Sequence, residues 1–107
     1  MGIYTTKPIG EISAKEFQYL IHGKKVVVSP HAIWHLSNRQ RKVFNIGELI
    51  SMVEKETPRK VYIQENERYA AYYRKSDSYR KLVIEIRDDR TIVVTFVDLA
   101  DIPRYKL

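Results

Sequence analysis

The chain of 107 residues contains no cysteine. Disulfides, thiol nucleophiles and thiolate metal sites are therefore all excluded, and the absence fits an intracellular, cytoplasmic location. No apolar run approaches the length of a membrane span, and the N-terminus lacks a basic stretch followed by an apolar one. No membrane partner is expected. Glycine-serine linkers, low-complexity stretches and internal repeats are also missing, which leaves one small domain around one core. Methionine and glutamine are scarce while Lys, Arg, Glu, Ile, Val and Tyr are frequent, a balance common in proteins from hot environments.

The most local absence is of acid. Between Phe17 and Gly47 there is no aspartate or glutamate, yet this window holds all three histidines and five lysines or arginines. The formal net charge of the chain is +6, which points to an anionic partner such as nucleic acid. The excess comes from residues 24–45, with five cations and no acid, and from residues 68–90, with seven cations and four acids.

Local signals divide the chain into elements. Ser13 caps a helix that reaches Ile21, with Glu16 at the capping-box position and Gly23 as its stop. Lys25–Val28 is a short β-branched strand, suited to a sheet edge. Ser29 as cap and Pro30 at the first helical position open a helix predicted to run to about Lys42. Asn45 caps a further helix, Ile46 to Glu56, which Thr57-Pro58 ends. From there the apolar period becomes two. Lys60–Gln64, Arg68–Lys75, Tyr79–Arg87 and Thr91–Asp98 read as four strands joined by polar turns, with Leu82, Ile84 and Ile86 facing inward. The expected fold class is α+β, with N-terminal helices packed on one face of a four-stranded antiparallel meander.

Two constellations could carry chemistry. His31 and His35 lie four apart and would neighbour each other on a helix. They could ligate a metal, although the segment lacks the glutamate of a zincin helix, and no metal or other cofactor is expected. They could be surface histidines, or one could transfer protons among cations. Metal-independent RNA cleavage needs a base, an acid and cations around the phosphorane, and His31 at a helix start with Arg39 on the same side would suit that need. The second set is Arg68 to Lys81, where tyrosines alternate with cations. Tyr72, Arg74, Lys75 and Arg80 suit stacking on bases and pairing with phosphates. Lys24, Lys25, Arg41 and Lys42 complete the candidate nucleic-acid contacts. Trp34 is read as a packing residue between helix and sheet.

The pattern His31-Ala32-x-x-His35 with Arg39, a helix of the type Asn45-Ile46-x-x-Leu49-Ile50, and a last strand containing Ile92-Val93-Val94-Thr95-Phe96 resembles the RelE-like nuclease superfamily, which includes barnase-like and toxin ribonucleases. The likeness covers about residues 25–98. It implies a RelE-like core over 24–98, with 1–23 as an N-terminal extension for dimerisation or closure and 99–107 as a tail. It further implies a toxin-like, metal-independent endoribonuclease in which His31 takes the place of the family histidine, Arg39 that of the downstream arginine, and Arg74 supplies a sheet cation. His35 stands where relatives more often have arginine. An acidic antitoxin and a homodimer are the implied protein partners. The alternative reading is a nucleic-acid-binding module without catalysis, such as a viral, plasmid or archaeal regulator.

Overall fold

The computed structural model describes residues 7–34, 36–38 and 45–107. Its elements follow in the order β1 (Pro8–Ile12), α1 (Ala14–Ile21), β2 (Lys25–Val28), α2 (Pro30–Trp34), α3 (Ile46–Lys55), β3 (Lys60–Gln64), β4 (Tyr69–Arg74), β5 (Tyr79–Ile86) and β6 (Arg90–Leu99). The strands form one six-stranded sheet in the order β1-β3-β4-β5-β6-β2. The expected four-stranded antiparallel meander is therefore only the middle of a larger, mixed sheet. β1 adds to it antiparallel on β3, and β2 adds parallel on β6.

β2 is the edge strand its sequence predicts, with the same bounds, but its partner escapes a local reading, and so does β1 as a whole. β1 contains Pro8 and Gly10, residues that depress strand propensity, and its register slips between them. An edge position tolerates both. β2 pairs with a strand more than sixty residues later, aligning Lys25 with Arg90 and Val28 with Val93, and such long-range pairing leaves no trace in neighbouring residues. The N-terminal segment is also not an appendage. β1 lies in the sheet, and Phe17 of α1 is fully buried in the main core.

The caps form as the sequence dictates. Ser13 Oγ accepts from the Glu16 N–H at 3.0 Å, and Asn45 Oδ1 accepts from the Gly47 N–H at 2.9 Å. Gly23 ends α1 with a φ of +75°, where a side chain would be strained. The helix starting at Pro30, predicted to run to about Lys42, is interrupted. α2 ends at Trp34, and the Leu36 N–H turns back to the Ile33 carbonyl at 3.0 Å. Ser37 is non-helical, as suits a short polar side chain that competes for backbone groups. Asn38 is helical again, and residues 39–42 of the predicted helix lie outside the described residues. Trp34, expected to pack inside, is 71% exposed.

The main core lies on one face of the sheet. Leu49, Met52 and Val53 of α3 meet Phe17, Val26, Val61, Ala71, Tyr73, Leu82, Ile84 and Val93 there. Their spacing puts one stripe of α3 against the strands, and each buried side chain contributes about 2 kcal/mol. On the other face a smaller cluster joins Tyr62, Ala70 and Tyr72 to Leu99 and Ile102. After β6 the chain therefore doubles back across β4 and β3. Tyr62 Oη donates to the Pro103 carbonyl at 3.0 Å, and the Tyr105 ring stands edge-on to Tyr62 at 5.1 Å.

Candidate nucleic-acid interface

Strand alternation and register sort the sheet's charges by face. On the side where α1 and α3 pack, the charged strand residues are Arg80 and Asp98, which lie directly opposite each other. The other side carries Lys25, Lys60, Arg68, Arg74, Lys81, Arg87 and Arg90 against Glu11 and Glu85. Solubility requires polar residues on a solvent-facing sheet, but it does not require one sign. Seven cations face these two carboxylates, with Asp89 beside Arg90 and Asp101 of the tail near Lys60, and the positive excess makes this face an anion-attracting surface.

The tail covers only the β3–β4 part of that face. Over β5, β6 and β2 the tail leaves it uncovered among the described residues, with Val97 47% exposed and Val27, Val83, Ile92 and Thr95 partly buried. Lys81 stands in the middle of this strip. Its cross-strand neighbours are Tyr72 on β4 and Val97 on β6. Its ammonium has no hydrogen bond or ion pair among the described residues, and desolvation by its surroundings lowers its pKa. An unpaired, partly desolvated ammonium gains more from an arriving phosphate than a solvated one does, because the anion restores what burial removed.

The remaining cations of the face differ in how firmly they are held. Glu85 takes Arg87 and Arg68 together, the latter at 3.3 Å. Their hydrogen bonds, Arg87's the larger, lower its pKa. Lys24 Nζ donates to the Arg87 carbonyl at 2.7 Å. Lys25 lies beside Arg90 on the neighbouring strand, and Arg90 is 3.9 Å from a highly exposed Asp89. At the opposite end Arg74 lies over the Tyr79 ring at 5.0 Å and donates to the Ser76 carbonyl.

The residues singled out from sequence scatter relative to this face. Lys24, Lys25 and Arg74 lie on or at its ends. Tyr72 is 1% exposed beneath the tail, so its ring is a packing surface and not a stacking platform in this arrangement. Arg80 is buried on the helix side. Its Nε donates to Asp98 at 2.7 Å, Nη1 reaches Glu48 of α3 at 3.3 Å, and the guanidinium lies over Phe96 at 5.4 Å. That arginine joins α3 to the sheet. Lys75 pairs with Asp98 at 3.6 Å. His31 is exposed on α2, its ring 6.4 Å from that of Trp34. His35, Arg39, Arg41 and Lys42 lie outside the described residues.

Register also separates His31 from Arg74. α2 leaves the sheet where the Ser29 N–H meets the Val93 carbonyl, whereas Arg74 lies opposite Tyr79, itself opposite Leu99. The Ser29 end of β2, from which α2 carries His31, is about four residues along the strands and three strands across from Arg74, roughly 13 Å and 14 Å. Among the described residues, no three His, Asp or Glu side chains gather as a metal site, and no helix is long and apolar enough to cross a membrane.

Lys81 closes the Arg68-to-Lys81 set read from the sequence but was not among the contacts chosen from it. Its signal was present, since alternation places it opposite Leu82 and Ile84 on the outward side, between Tyr79 and Val83. What the sequence did not reveal was the lack of a carboxylate partner. In comparisons with known proteins, no family model, no curated protein and no solved structure matches this chain.

Proposed function

We propose that the chain is a nucleic-acid-binding module that holds a single strand along the β5–β6–β2 part of the open sheet face, without cleaving it. The observation that carries this reading is the positive excess of that face, seven cations against Glu11, Glu85, Asp89 and the tail's Asp101, with a lysine at its centre whose side chain has no ion pair among the described residues. Lys25, Arg87 and Arg90 at one end and Arg74 at the other suit successive phosphates, and the β-branched strip between them offers bases an apolar floor. Of the two functions the sequence suggests, binding is favoured over the toxin-like nuclease. Nuclease chemistry needs the imidazole and the sheet arginine on one phosphate, and the register holds His31 and Arg74 apart.

A matched pair of charge reversals tests the reading. Lys25→Glu with Arg90→Glu changes the face, while Lys15→Glu with Lys55→Glu changes net charge equally on the exposed sides of α1 and α3. Binding of labelled single-stranded RNA and DNA is measured across a salt series in the presence of a chelator, and strand integrity is followed in the same samples. The reading expects intact strands, steep salt dependence, and a loss of about tenfold or more in the face variant beyond that of the control. Equal losses in both variants would show general charge attraction and no defined face. Strand cleavage abolished by His31→Ala would replace the reading with the catalytic one.

A further inference from the structure

Where the tail leaves β6 and turns over the sheet, a pocket of about 410 Å³ opens between them, lined by Lys60, Tyr79, Asp101, Ile102 and Arg104. We propose that this pocket binds a nucleoside monophosphate, either as the phosphorylated end of a strand or as the free nucleotide. The strand-end form rests on the binding function proposed above; the free-nucleotide form stands without it.

Lys60 and Arg104 bring two cations to one small space from β3 and the tail. A phosphodiester carries a single charge, whereas a phosphomonoester carries nearly two at neutral pH and matches a pair of cations better. Lys60 lies 3.8 Å from Glu11, with both side chains partly exposed, an exposed pair worth too little to hold it against a dianion. Arg104 has no hydrogen bond or ion pair among the described residues. It is free to turn onto a ligand.

The rest of the lining matches the rest of a nucleotide. Tyr79 supplies a ring, with the Arg74 guanidinium 5.0 Å from its centroid, and a base can stack on that wall while Ile102 adds apolar contact. Asp101 also has no hydrogen bond or ion pair among the described residues. Its carboxylate would repel a bare phosphate, so its presence calls for a ligand that also bears donors. Ribose hydroxyls and base amino groups are such donors. Inorganic phosphate alone satisfies the cations and leaves Asp101 opposed. The volume lies within the range of small-ligand sites.

The test uses the full chain and calorimetric titration with AMP, adenosine and inorganic phosphate, beside oligonucleotides of one sequence ending in 5′-phosphate, 3′-phosphate or hydroxyl. AMP is expected to bind about tenfold or more tightly than either adenosine or phosphate. Arg104→Ala and Lys60→Ala are each expected to weaken AMP by about tenfold. Thermal melts of both variants control for folding. A phosphorylated oligonucleotide that exceeds both AMP and its hydroxyl counterpart identifies the strand end as the ligand, and AMP exceeding the oligonucleotides identifies the free nucleotide. AMP bound no better than phosphate, or bound equally by the two variants, overturns the pocket. In that case hydroxyl-ended oligonucleotides that still bind leave the open face intact as the binding surface. Oligonucleotides that fail while AMP binds would remove the face and keep the pocket.

Discussion

Replacing Lys81 with methionine should move stability and binding in opposite directions. In the folded chain the ammonium lies between Tyr72 and Val97 without an ion pair among the described residues, and burial alone lowers its pKa. Methionine has a similar length, removes the charge and places a methyl group against the same neighbours. One fully buried methyl-sized group is worth about 0.8 kcal/mol, and about half of that applies at a partly buried site. Relief of the desolvation penalty adds to it, so the variant should gain roughly 0.5–1 kcal/mol, a rise in Tm of about 2–4 °C for a chain of this size.

The pH dependence supplies an internal check. A lysine whose folded pKa is lowered binds fewer protons folded than unfolded through the window below its usual value of about 10.4. Its penalty is in full force at low pH, and stability rises with pH as the folded chain releases the proton. Wild type should therefore gain stability relative to Lys81→Met as pH rises toward the usual lysine value of about 10.4. In the same variant, loss of one phosphate contact should weaken single-strand binding by roughly five- to tenfold and reduce the salt slope by about 0.7. Thermal melts and fluorescence anisotropy across a salt series measure both. A variant that loses stability, or that binds as wild type does, would refute the reasoning.

Among the described residues Tyr73 Oη and Thr91 Oγ1 are buried without a hydrogen-bond partner, so Tyr73→Phe and Thr91→Val should each raise stability by about 1 kcal/mol in urea melts, with no change in nucleic-acid affinity. Arg80→Met should cost about 1–2 kcal/mol at neutral pH, because it removes the hydrogen bonds to Asp98 and Glu48 while letting both half-exposed carboxylates resolvate. It should also change the acid limb. The Arg80 hydrogen bond lowers the Asp98 pKa, so its stabilisation is complete above the unfolded value of about 3.9 and is lost as pH falls through the lower folded value. Wild type should lose this part of its stability below about pH 5, and Arg80→Met should lose less, as followed by circular dichroism during acid titration.

Local chemistry made much of the fold legible. Ser13, Asn45 and Gly23 mark helix ends by what their side chains, or lack of one, do to the backbone. Alternation in Lys60–Gln64 and in Leu82-Ile84-Ile86 gave the central strands their faces. Pairing across distance was not legible, as the parallel match of Val26 with Thr91 shows. The candidate site was legible in charge and less so in burial. Arg80 and Tyr72 were read as a phosphate contact and a stacking ring from their residue types, yet cross-strand Asp98 and the returning tail enclose them. Lys81 became distinctive only once its neighbours were known.

The most direct test of the central claim is an amide NMR titration of the full chain with a short single-stranded oligonucleotide. The account predicts perturbations that alternate along β5 and β6, strongest at Lys81, Val83, Thr95 and Val97 and extending to Lys25 and Arg90, with saturable fast or intermediate exchange. Perturbations confined to α1 and α3, or centred on His31 with β5 unmoved, would contradict it.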